Sequence, residues 1–241
     1  MRNYDTTAFE QGLDKLGISL NQGQIEQFLQ YYEILVEWNK VMNLTGITEF
    51  EEVIVKHFLD SLAIVKVCDM NKVNTVIDIG TGAGFPGIPL KIAFPHLKVV
   101  LLDSLRKRIT FLEEVVQQLR VVDITMIHGR AEEFARKSEY REQFDLSVSR
   151  AVANLSTLGE YCLPFVKVGG EFISYKSGKI VEEVEQAQKA MEMLGGEIIS
   201  RDVFNLLETD MERSFVVIKK KDKTPKKYPR KAGLPNKEPI K

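Results

Sequence analysis

The fold is decided at residues 76–87, which read Val76-Ile77-Asp78-Ile79-Gly80-Thr81-Gly82-Ala83-Gly84-Phe85-Pro86-Gly87. An apolar run carries an acid near its end, a glycine-rich turn follows, and a helical pattern comes next. Glycine has no Cβ and tolerates positive φ, so this turn lets a ligand approach the backbone closely. Ligands of open α/β sheets bind at the carboxyl ends of the strands. The stretch therefore predicts a strand, a turn and a helix that border a ligand site.

Strands and helices alternate from about residue 71 onward. The expected strands are Thr75–Ile79, Lys98–Leu102, Asp123–Ile127, Phe144–Val148, Glu171–Ser174, Glu197–Val203 and Arg213–Lys219. The expected helices are Ile88–Ala93, Leu105–Leu119, Ala131–Lys137, Leu155–Phe165 and Lys179–Leu194. This order predicts an α/β fold, in which a mostly parallel seven-stranded sheet carries helices on both faces and ends in a hairpin-like pair.

Residues 1–70 are predicted to form helices that pack on this core. The apolar residues of one helix face are expected to be Ile25, Phe28, Leu29, Tyr32, Leu35, Val36 and Met42. Asn21 and Gln24 form a capping pair at the start of that helix. A second helix is expected from about Phe50 to Val67.

A basic tail, residues 221–241, follows the core domain at 71–220. Ten Lys or Arg and only two acids lie between Lys219 and Lys241, although the net charge of the whole chain is −1. A basic tail on an acidic body suits a polyanionic partner, and a solvated tail is the alternative.

Composition indicates a globular protein, since 44% of the residues are hydrophobic and 28% are charged. No run approaches the roughly 18 apolar residues of a membrane span. The start, Met1–Asp5, lacks the pattern of a secretory signal. Cys68 and Cys162 lie in neither a redox nor a metal-binding spacing. We therefore expect a cytoplasmic protein with reduced cysteines and no membrane partner.

Two kinds of cofactor compete for the glycine-rich turn. A dinucleotide needs the spacing G-x-G-x-x-G directly after the strand. Counted from Gly80, the last glycine position is Phe85, and the register that does fit begins two residues late, at Gly82. Asp78 suits instead a ligand with a cationic amino-acid moiety. The stretch resembles the first motif of the class I, Rossmann-like methyltransferases, so S-adenosyl-L-methionine is the predicted cofactor.

The ends of the next strands support an adenosine ligand. Asp103 is expected to accept hydrogen bonds from ribose hydroxyls, as an acid does in NAD enzymes too. Capping of the following helix is the other role open to Asp103. Ala131 and Glu132 fall where an adenine ring would lie, and Glu132 is equally suited to the first turn of a helix.

The sequence predicts no catalytic side chain. It lacks the Asn/Asp-Pro-Pro-Tyr/Phe signature for methylation of exocyclic amines, and no Pro-Cys pair offers a nucleophile for cytosine C5. A ring nitrogen with a free lone pair attacks a methyl group directly and loses no proton, so positioning can carry the catalysis. Guanine N7 fits this chemistry, but these residues do not by themselves select guanine.

Stretches along nearly the whole chain resemble the RsmG (GidB) family of bacterial methyltransferases. They are Trp38–Thr45, His57–Leu62, Asp78–Pro89, Leu102–Arg108, Arg130–Glu132, Ser149–Ala153 and Thr224–Gly233. The resemblance implies methyl transfer from S-adenosyl-L-methionine to N7 of guanine 527 in 16S ribosomal RNA. It also implies cofactor contacts at Gly80, Phe85, Ala131, Glu132 and Arg150.

The fold and the resemblance together give one set of candidate cofactor-binding residues. They are Asp78, Gly80, Gly82, Gly84, Phe85, Asp103, Ala131, Glu132 and Arg150. Arg150 is also the one candidate contributor to catalysis, because an arginine after a buried strand is costly unless it is paired. A purely structural ion pair is its alternative role.

The expected partner is 16S ribosomal RNA or the 30S subunit, met by a monomer. Candidate RNA-binding residues are Arg106, Lys107, Arg108, Lys226, Lys227, Tyr228, Arg230 and Lys231. Tyr228 is expected to stack on bases. No metal is expected, because His57, His96 and His128 form no ligand cluster and suit packing or surface roles.

Other polar and aromatic residues are interpreted as structural. Trp38, Asn39, Asn43 and Thr45 are expected to close a helix and to dock it on the core. Asp60 and Ser61 are expected to hold a buried polar network.

Two other functions are considered. An NAD-dependent oxidoreductase is disfavoured by Phe85 in the glycine register and by the acid at Asp78. A non-catalytic ribosome-assembly factor that binds RNA is disfavoured by the intact cofactor loop, and turnover with a labelled methyl donor would eliminate it. The fold alone does not decide between these classes.

Overall fold

The apolar runs of the sequence form seven strands in the computed structural model, which describes residues 4–150, 152–178, 180–206 and 209–241. The strands are β1 (Thr75–Ile79), β2 (Lys98–Asp103), β3 (Ile124–His128), β4 (Phe144–Arg150), β5 (Val166–Ser177), β6 (Gly196–Asn205) and β7 (Glu212–Lys220). They form one sheet in the order β3-β2-β1-β4-β5-β7-β6. Strand β7 is antiparallel to both of its neighbours, and the pairs among β1–β5 are parallel. The predicted sheet and its late hairpin are confirmed.

Ten α-helical segments surround this sheet in the part of the chain that the structure describes. They are α1 (Thr7–Leu16), α2 (Gln22–Met42), α3 (Phe50–Val53), α4 (Asp60–Leu62), α5 (Gly87–Ala93), α6 (Arg106–Leu119), α7 (Ala131–Phe134), α8 (Leu155–Cys162), α9 (Val181–Met193) and α10 (Leu234–Lys237). A π-helical turn, Ile54–Leu59, joins α3 to α4, and a 3₁₀ turn, Ala63–Lys66, continues them. The expected helix from Phe50 to Val67 is thus one continuous helical stretch.

Most predicted helix boundaries lie within a few residues of those observed. Helix α7 ends at Phe134 rather than Lys137, and α8 ends at Cys162 before a 3₁₀ turn, Leu163–Phe165. The predicted start of α9 at Lys179 lies outside the described residues, as do Met1–Asn3 and Ala151.

Each strand of the central sheet sends alternate side chains to opposite faces, as strand geometry requires. In β1, Val76 joins a core formed with α1, α2, α5 and α6, whereas Ile77 and Ile79 join a second core formed with α8 and α9. Both faces of the sheet are therefore buried, which explains its near-continuous apolar strands.

The N-terminal helices share the first of these cores. Asn21 and Gln24 form the expected capping box at the start of α2. The Trp38 ring meets the Phe111 ring of α6 edge to face, with centroids 5.8 Å apart, and the amide of Gln24 donates to the Ile92 carbonyl of α5 at 2.7 Å. These contacts pack α2 against α5 and α6.

The C-terminal segment, residues 221–241, is docked on the second core. Tyr228 is only 5% exposed, and Thr224 is also buried. The Arg141 guanidinium donates to the carbonyls of Thr224 and Tyr228, at 2.7 and 3.0 Å. Lys220, which is fully buried, donates to the Leu163 carbonyl at 2.7 Å and to the Thr224 hydroxyl. The basic tail is thus an ordered part of the fold.

Substitution of Lys220 is expected to change how stability depends on pH. Burial lowers the pKa of its ammonium from 10.5 to about 8. Between these values the unfolded chain binds a proton that the folded protein has released, so this group stabilises the fold increasingly as the pH rises. In urea denaturation, the free energy of unfolding of wild type relative to Lys220→Met should grow by about 2 kcal/mol from pH 8 to pH 10. The exposed neighbour in Lys221→Met should show no such trend.

Candidate functional site

The glycine-rich turn after β1 is braced from below by Asp78. Its Oδ2 accepts hydrogen bonds from the Thr81 hydroxyl at 2.8 Å and from the Gly87 amide at 2.9 Å. Burial of the carboxyl raises its pKa to about 7, against the lowering effect of these hydrogen bonds. Asp78 lies beneath the turn and does not line the recesses described below.

Helix α2 braces the same turn from the side. The fully buried Tyr31 hydroxyl donates to the Ala83 carbonyl. Gly84 has φ of +94°, and a Cβ there would lie 2.7 Å from the Tyr31 oxygen and 2.6 Å from Ile88. Tyr32 is partly buried against the first core, as the periodicity predicts, and the neighbouring Tyr31, which was not predicted there, is fully buried. The spacing Phe28-Tyr31-Leu35, three and then four residues, was the signal for this residue.

Asp103, at the end of β2, joins the turn to helix α6. Its Oδ2 accepts from the Gly82 amide at 3.0 Å and from Arg108 at 3.1 Å, and its Oδ1 accepts from the Leu105 amide at 2.9 Å. Helix α6 begins after Leu105, so Asp103 orders the turn before the helix and is not its N-cap residue. Two carboxylate oxygens offer about four acceptor sites, and three are used here.

Two adjoining recesses open at the carboxyl ends of the strands. The outer recess, of about 680 Å³, is lined by Ile79, Gly80, Leu102, Asp103, Ser104, Gly129, Arg130, Ala131, Glu132, Val152, Ala153, Tyr161, Ala232, Gly233, Asn236 and Lys237. The loop recess, of about 410 Å³, is lined by Leu44, Thr45, His57, Gly80, Thr81, Gly82, Ala83, Phe85, Asp103, Ser104, Arg108, Arg150 and Val152. Seven of the nine candidate cofactor residues line one or both, while Asp78 and Gly84 support the turn.

The C-terminal segment forms one wall of the outer recess. Glu132 is buried, and its Oε1 accepts a hydrogen bond from the Gly233 amide at 2.8 Å. Its carboxylate therefore holds the segment, a role that the sequence did not suggest. Ala131, the other candidate at this position, lines the recess directly.

Aromatic rings and arginines form the far wall of the loop recess. The His57 ring stacks on Phe85 at 4.7 Å between centroids, and the Arg150 guanidinium lies 5.0 Å from the centroid of Phe85. Arg150 Nη1 is 2.8 Å from Asp60 Oδ2, and Arg213 Nε is 3.0 Å from Asp60 Oδ1. Arg150 is therefore ion-paired, which is its alternative role, and it also lines the recess, where its contact with the cofactor stays a prediction.

His57 is held as a neutral ring in this wall. Burial and the nearby Arg150 lower its pKa to about 4. Nδ1 lies 3.1 Å from the Lys56 carbonyl, so this nitrogen donates and Nε2 accepts from the Thr45 hydroxyl at 2.8 Å. Thr45 is in turn positioned by Asn39, whose Oδ1 accepts from the Thr45 amide at 2.9 Å. The sequence had assigned this histidine only to packing or to the surface.

The expected buried polar network around Ser61 is present. The Ser61 hydroxyl donates to the His57 carbonyl at 2.5 Å, and the Tyr175 hydroxyl donates to the Ser61 carbonyl at 2.8 Å. The network links the π-helical turn to β5. It therefore fixes the backbone that carries His57 and Asp60.

The candidate RNA-binding residues divide into exposed and engaged groups. Arg106, Lys107, Lys226, Lys227 and Lys231 are exposed. Three others are engaged within the protein: Arg108 with Asp103, Arg230 with the buried Glu160 at 2.7 Å, and Tyr228 in the core. The expectation that Tyr228 stacks on bases does not match its position, because the ring is buried in the second core.

Metal-binding clusters and membrane-spanning helices are both absent from the described residues. No group of three or more His, Cys, Asp or Glu there could hold a metal ion. No helix among them is both long and apolar enough to span a membrane.

Comparison with known proteins identifies relatives over nearly the whole chain. The family model of rRNA small subunit methyltransferase G matches residues 24–210. A protein named ribosomal RNA small subunit methyltransferase G from Lachnoclostridium phytofermentans is 57% identical over 236 residues, which cover 98% of each chain. The protein of the same name from Bacillus cereus (strain B4264) is 52% identical over 232 residues, or 96% of this chain and 97% of that one.

Solved structures show the same fold at low sequence identity. Ribosomal protein L11 methylase from Lactobacillus delbrueckii subsp. bulgaricus superposes with a TM-score of 0.53 and 19% identity, over 74% of this chain and 81% of that one. TrmN from Thermus thermophilus superposes with a TM-score of 0.51 and 14% identity, over 67% of this chain and 48% of that one. The sheet and its helices are those of the Rossmann-like methyltransferase fold, which confirms the predicted fold class.

Removal of the Glu132 carboxylate is expected to loosen the C-terminal wall. In Glu132→Ala the Gly233 amide loses its charged acceptor. The free energy that holds the segment closed should then fall by about 1.5 kcal/mol or more. Hydrogen exchange measured by mass spectrometry should then be about tenfold faster at residues 231–237. Glu133→Ala, a change to the exposed neighbour, should leave exchange there as in wild type. Equal rates in all three proteins would mean that other contacts, such as Arg230 with Glu160, hold the segment alone.

Proposed function

The chain belongs to the family of rRNA small subunit methyltransferase G, and from this premise we propose that it transfers a methyl group from S-adenosyl-L-methionine to N7 of one guanine in 16S ribosomal RNA. The observation that carries the proposal is the hydrogen bond from the Gly82 amide of the glycine-rich turn to Asp103, at the carboxyl ends of the strands. The reaction belongs to the cytoplasm, where ribosomal subunits are assembled.

The residues of the outer recess fit an adenosyl group. Asp103 retains one of its four acceptor sites, on Oδ1, for a ribose hydroxyl. Gly80 has φ of +71°, and a Cβ there would lie 2.6 Å from Val152, so only glycine leaves this space free. The volume of about 680 Å³ is within the usual range of small-ligand sites. The sulfonium of S-adenosyl-L-methionine supplies an electrophilic methyl group in such a site.

The reaction requires the protein to align guanine N7 with the methyl group, and it requires no proton transfer. Guanine N7 uses its lone pair to bond the methyl carbon, while the electron pair of the broken carbon–sulfur bond remains on sulfur. No proton leaves N7, so no general base is needed. The neutral His57 ring and the paired Arg150 can hold the reacting groups in line, which is the contribution expected of a positioning site.

The positive charge of Arg150, which lines the loop recess, is partly compensated by the buried carboxylate of Asp60. Asp60 pairs with both Arg150 and Arg213, so the two guanidiniums share one buried carboxylate. This pairing limits their repulsion of the positive charge that passes from sulfonium to base during transfer. Phe85 adds a ring face beside Arg150 and His57.

The exposed cations are the proposed contacts to RNA phosphates. Arg106 and Lys107 begin helix α6 directly after the strand end that carries Asp103. Lys226, Lys227 and Lys231 are exposed on the C-terminal segment, which also walls the outer recess. Phosphate contacts of this kind give affinity that falls as salt concentration rises.

Methyl transfer from labelled S-adenosyl-L-methionine tests the function directly. The acceptors are 30S subunits from an undermethylated strain and the deproteinised 16S RNA, and the modified base is then mapped. Label at one guanine N7 supports the proposal and shows which acceptor is used. Cofactor binding with no label on either acceptor would mean another substrate, and no cofactor binding would remove the basis of the proposal.

Asp103→Asn is expected to weaken binding of S-adenosyl-L-methionine by about tenfold or more, because the ribose loses a charged acceptor. Isothermal titration calorimetry measures the effect. Asp123→Asn is the matched control: Asp123 is exposed and precedes β3 at the opposite edge of the sheet. An unchanged Kd in Asp103→Asn would show that the ribose does not use this carboxylate.

A further inference from the structure

A third recess lies beside the loop recess, at the carboxyl ends of β4 and β5. The lining of this β5 recess, of about 540 Å³, includes His57, Asp60, Arg150, Lys176, Glu183 and Arg213. It shares His57 and Arg150 with the loop recess. A ligand in the β5 recess would therefore lie next to a ligand in the loop recess.

The wall between the two recesses is fixed. Asp60, which is only 4% exposed, pairs with Arg150 at 2.8 Å and with Arg213 at 3.0 Å. The Tyr175 ring behind it is buried, and its hydroxyl donates to the Ser61 carbonyl. This wall offers a rigid surface against which a planar ring can be aligned.

Glu183, near the start of α9, brings an incompletely used carboxylate to the opposite wall. Its Oε1 accepts from the Leu155 amide and from Lys176 Nζ, both at 2.6 Å. Within the described residues, Oε2 has no hydrogen-bond partner. The side chain is 30% exposed, so a ligand can reach it.

Lys176 adds a donor beside this acceptor. Its ammonium has three protons. One goes to Glu183 and another to the Ala153 carbonyl at 2.7 Å. The third remains for a ligand in the recess that Lys176 also lines. The pair therefore presents one cationic donor next to one anionic acceptor, held 2.6 Å apart.

We propose that the β5 recess binds the target base and that Glu183, with Lys176, selects guanine by its Watson–Crick edge. The inference rests on the proposed function and names the base-recognition site of that reaction. Guanine presents the acceptor O6 beside the donors N1–H and N2–H. Lys176 can donate to O6, and Glu183 can accept from N1–H and N2–H. Adenine has an amino group and an unprotonated N1 in these places, so both contacts would be mismatched.

Recognition at this edge also leaves the reacting atom free. N7 lies on the side of the purine opposite N1 and N2, and therefore faces away from Glu183. A base held in this way turns N7 toward the wall shared with the loop recess, where His57 and Arg150 lie. Enzymes that modify a base inside structured nucleic acid commonly extrude it into such a pocket and read its Watson–Crick edge.

Glu183→Gln removes the acceptor that faces guanine but keeps the contacts of Glu183 within the protein. The amide oxygen must stay toward the Leu155 amide and Lys176, because an NH₂ there would meet two donors. The amide NH₂ then replaces Oε2 and faces the donors of guanine. We expect kcat/KM for the small-subunit acceptor to fall by about 100-fold, as for loss of hydrogen bonds to a charged group. The Kd for S-adenosyl-L-methionine should not change. Glu182→Gln, on the exposed neighbour of the same helix, should behave as wild type.

Inosine at the target position distinguishes recognition from a structural role. Inosine keeps N1–H, O6 and N7 but lacks the N2 amine. Wild type should methylate 30S subunits reconstituted with inosine about tenfold more slowly than those with guanine, whereas Glu183→Gln should treat the two acceptors alike. Glu183→Asp keeps the carboxylate and should retain a preference for guanine, even if Glu183→Gln proves unstable.

The outcomes separate this inference from the proposed function. Methylation at guanine N7 by wild type, with the same guanine preference in Glu183→Gln as in wild type, overturns the assignment of Glu183 alone. Absence of methyl transfer by wild type to any small-subunit acceptor overturns the proposed function and this inference with it. A preference for guanine that is lost only in Glu183→Gln supports both.

Discussion

One buried carboxylate, that of Asp78, sets the shape of the turn on which the site depends. Oδ2 takes hydrogen bonds from the Thr81 hydroxyl and the Gly87 amide, and Oδ1 has no partner among the described residues. Burial raises the pKa of the group to about 7, so its ionisation in the fold costs free energy that these bonds only partly offset. The same hydrogen bonds hold the turn at the carboxyl ends of the strands.

Residues from the N-terminal and C-terminal segments form further walls of the site around this turn. Tyr31 from α2 bonds the turn at the Ala83 carbonyl, and His57 stacks on Phe85. Gly233, near the C-terminus, bonds Glu132 at the other side of the recesses. The core sheet supplies the strand ends, while the terminal segments supply walls. Cofactor and base sites of the proposed enzyme therefore depend on contacts between parts of the chain that are remote in sequence.

Buried carboxylates also decide which cations remain for RNA. Asp60, Asp103 and Glu160 each pair with arginine, and in the last case the pair anchors the C-terminal segment. A guanidinium held by a buried carboxylate is costly to release, because the anion would be left unpaired. The number of cations in the C-terminal segment thus overstates the proposed phosphate-binding surface, which consists of exposed lysines and the start of α6.

The sequence by itself determined the sheet and the turn, and it placed most of the candidate cofactor residues on the two recesses, because periodicity and glycine spacing are local signals. Gly82 and Asp103 were identified in this way. Only the tertiary structure decided the roles of Tyr31, Glu132 and Tyr228. Tyr31 and Glu132 bond backbone groups that are 52 and 101 residues away, and Tyr228 is buried in a core formed by distant parts of the chain. No local pattern records which remote backbone group will meet a side chain, since packing of the whole chain makes that choice.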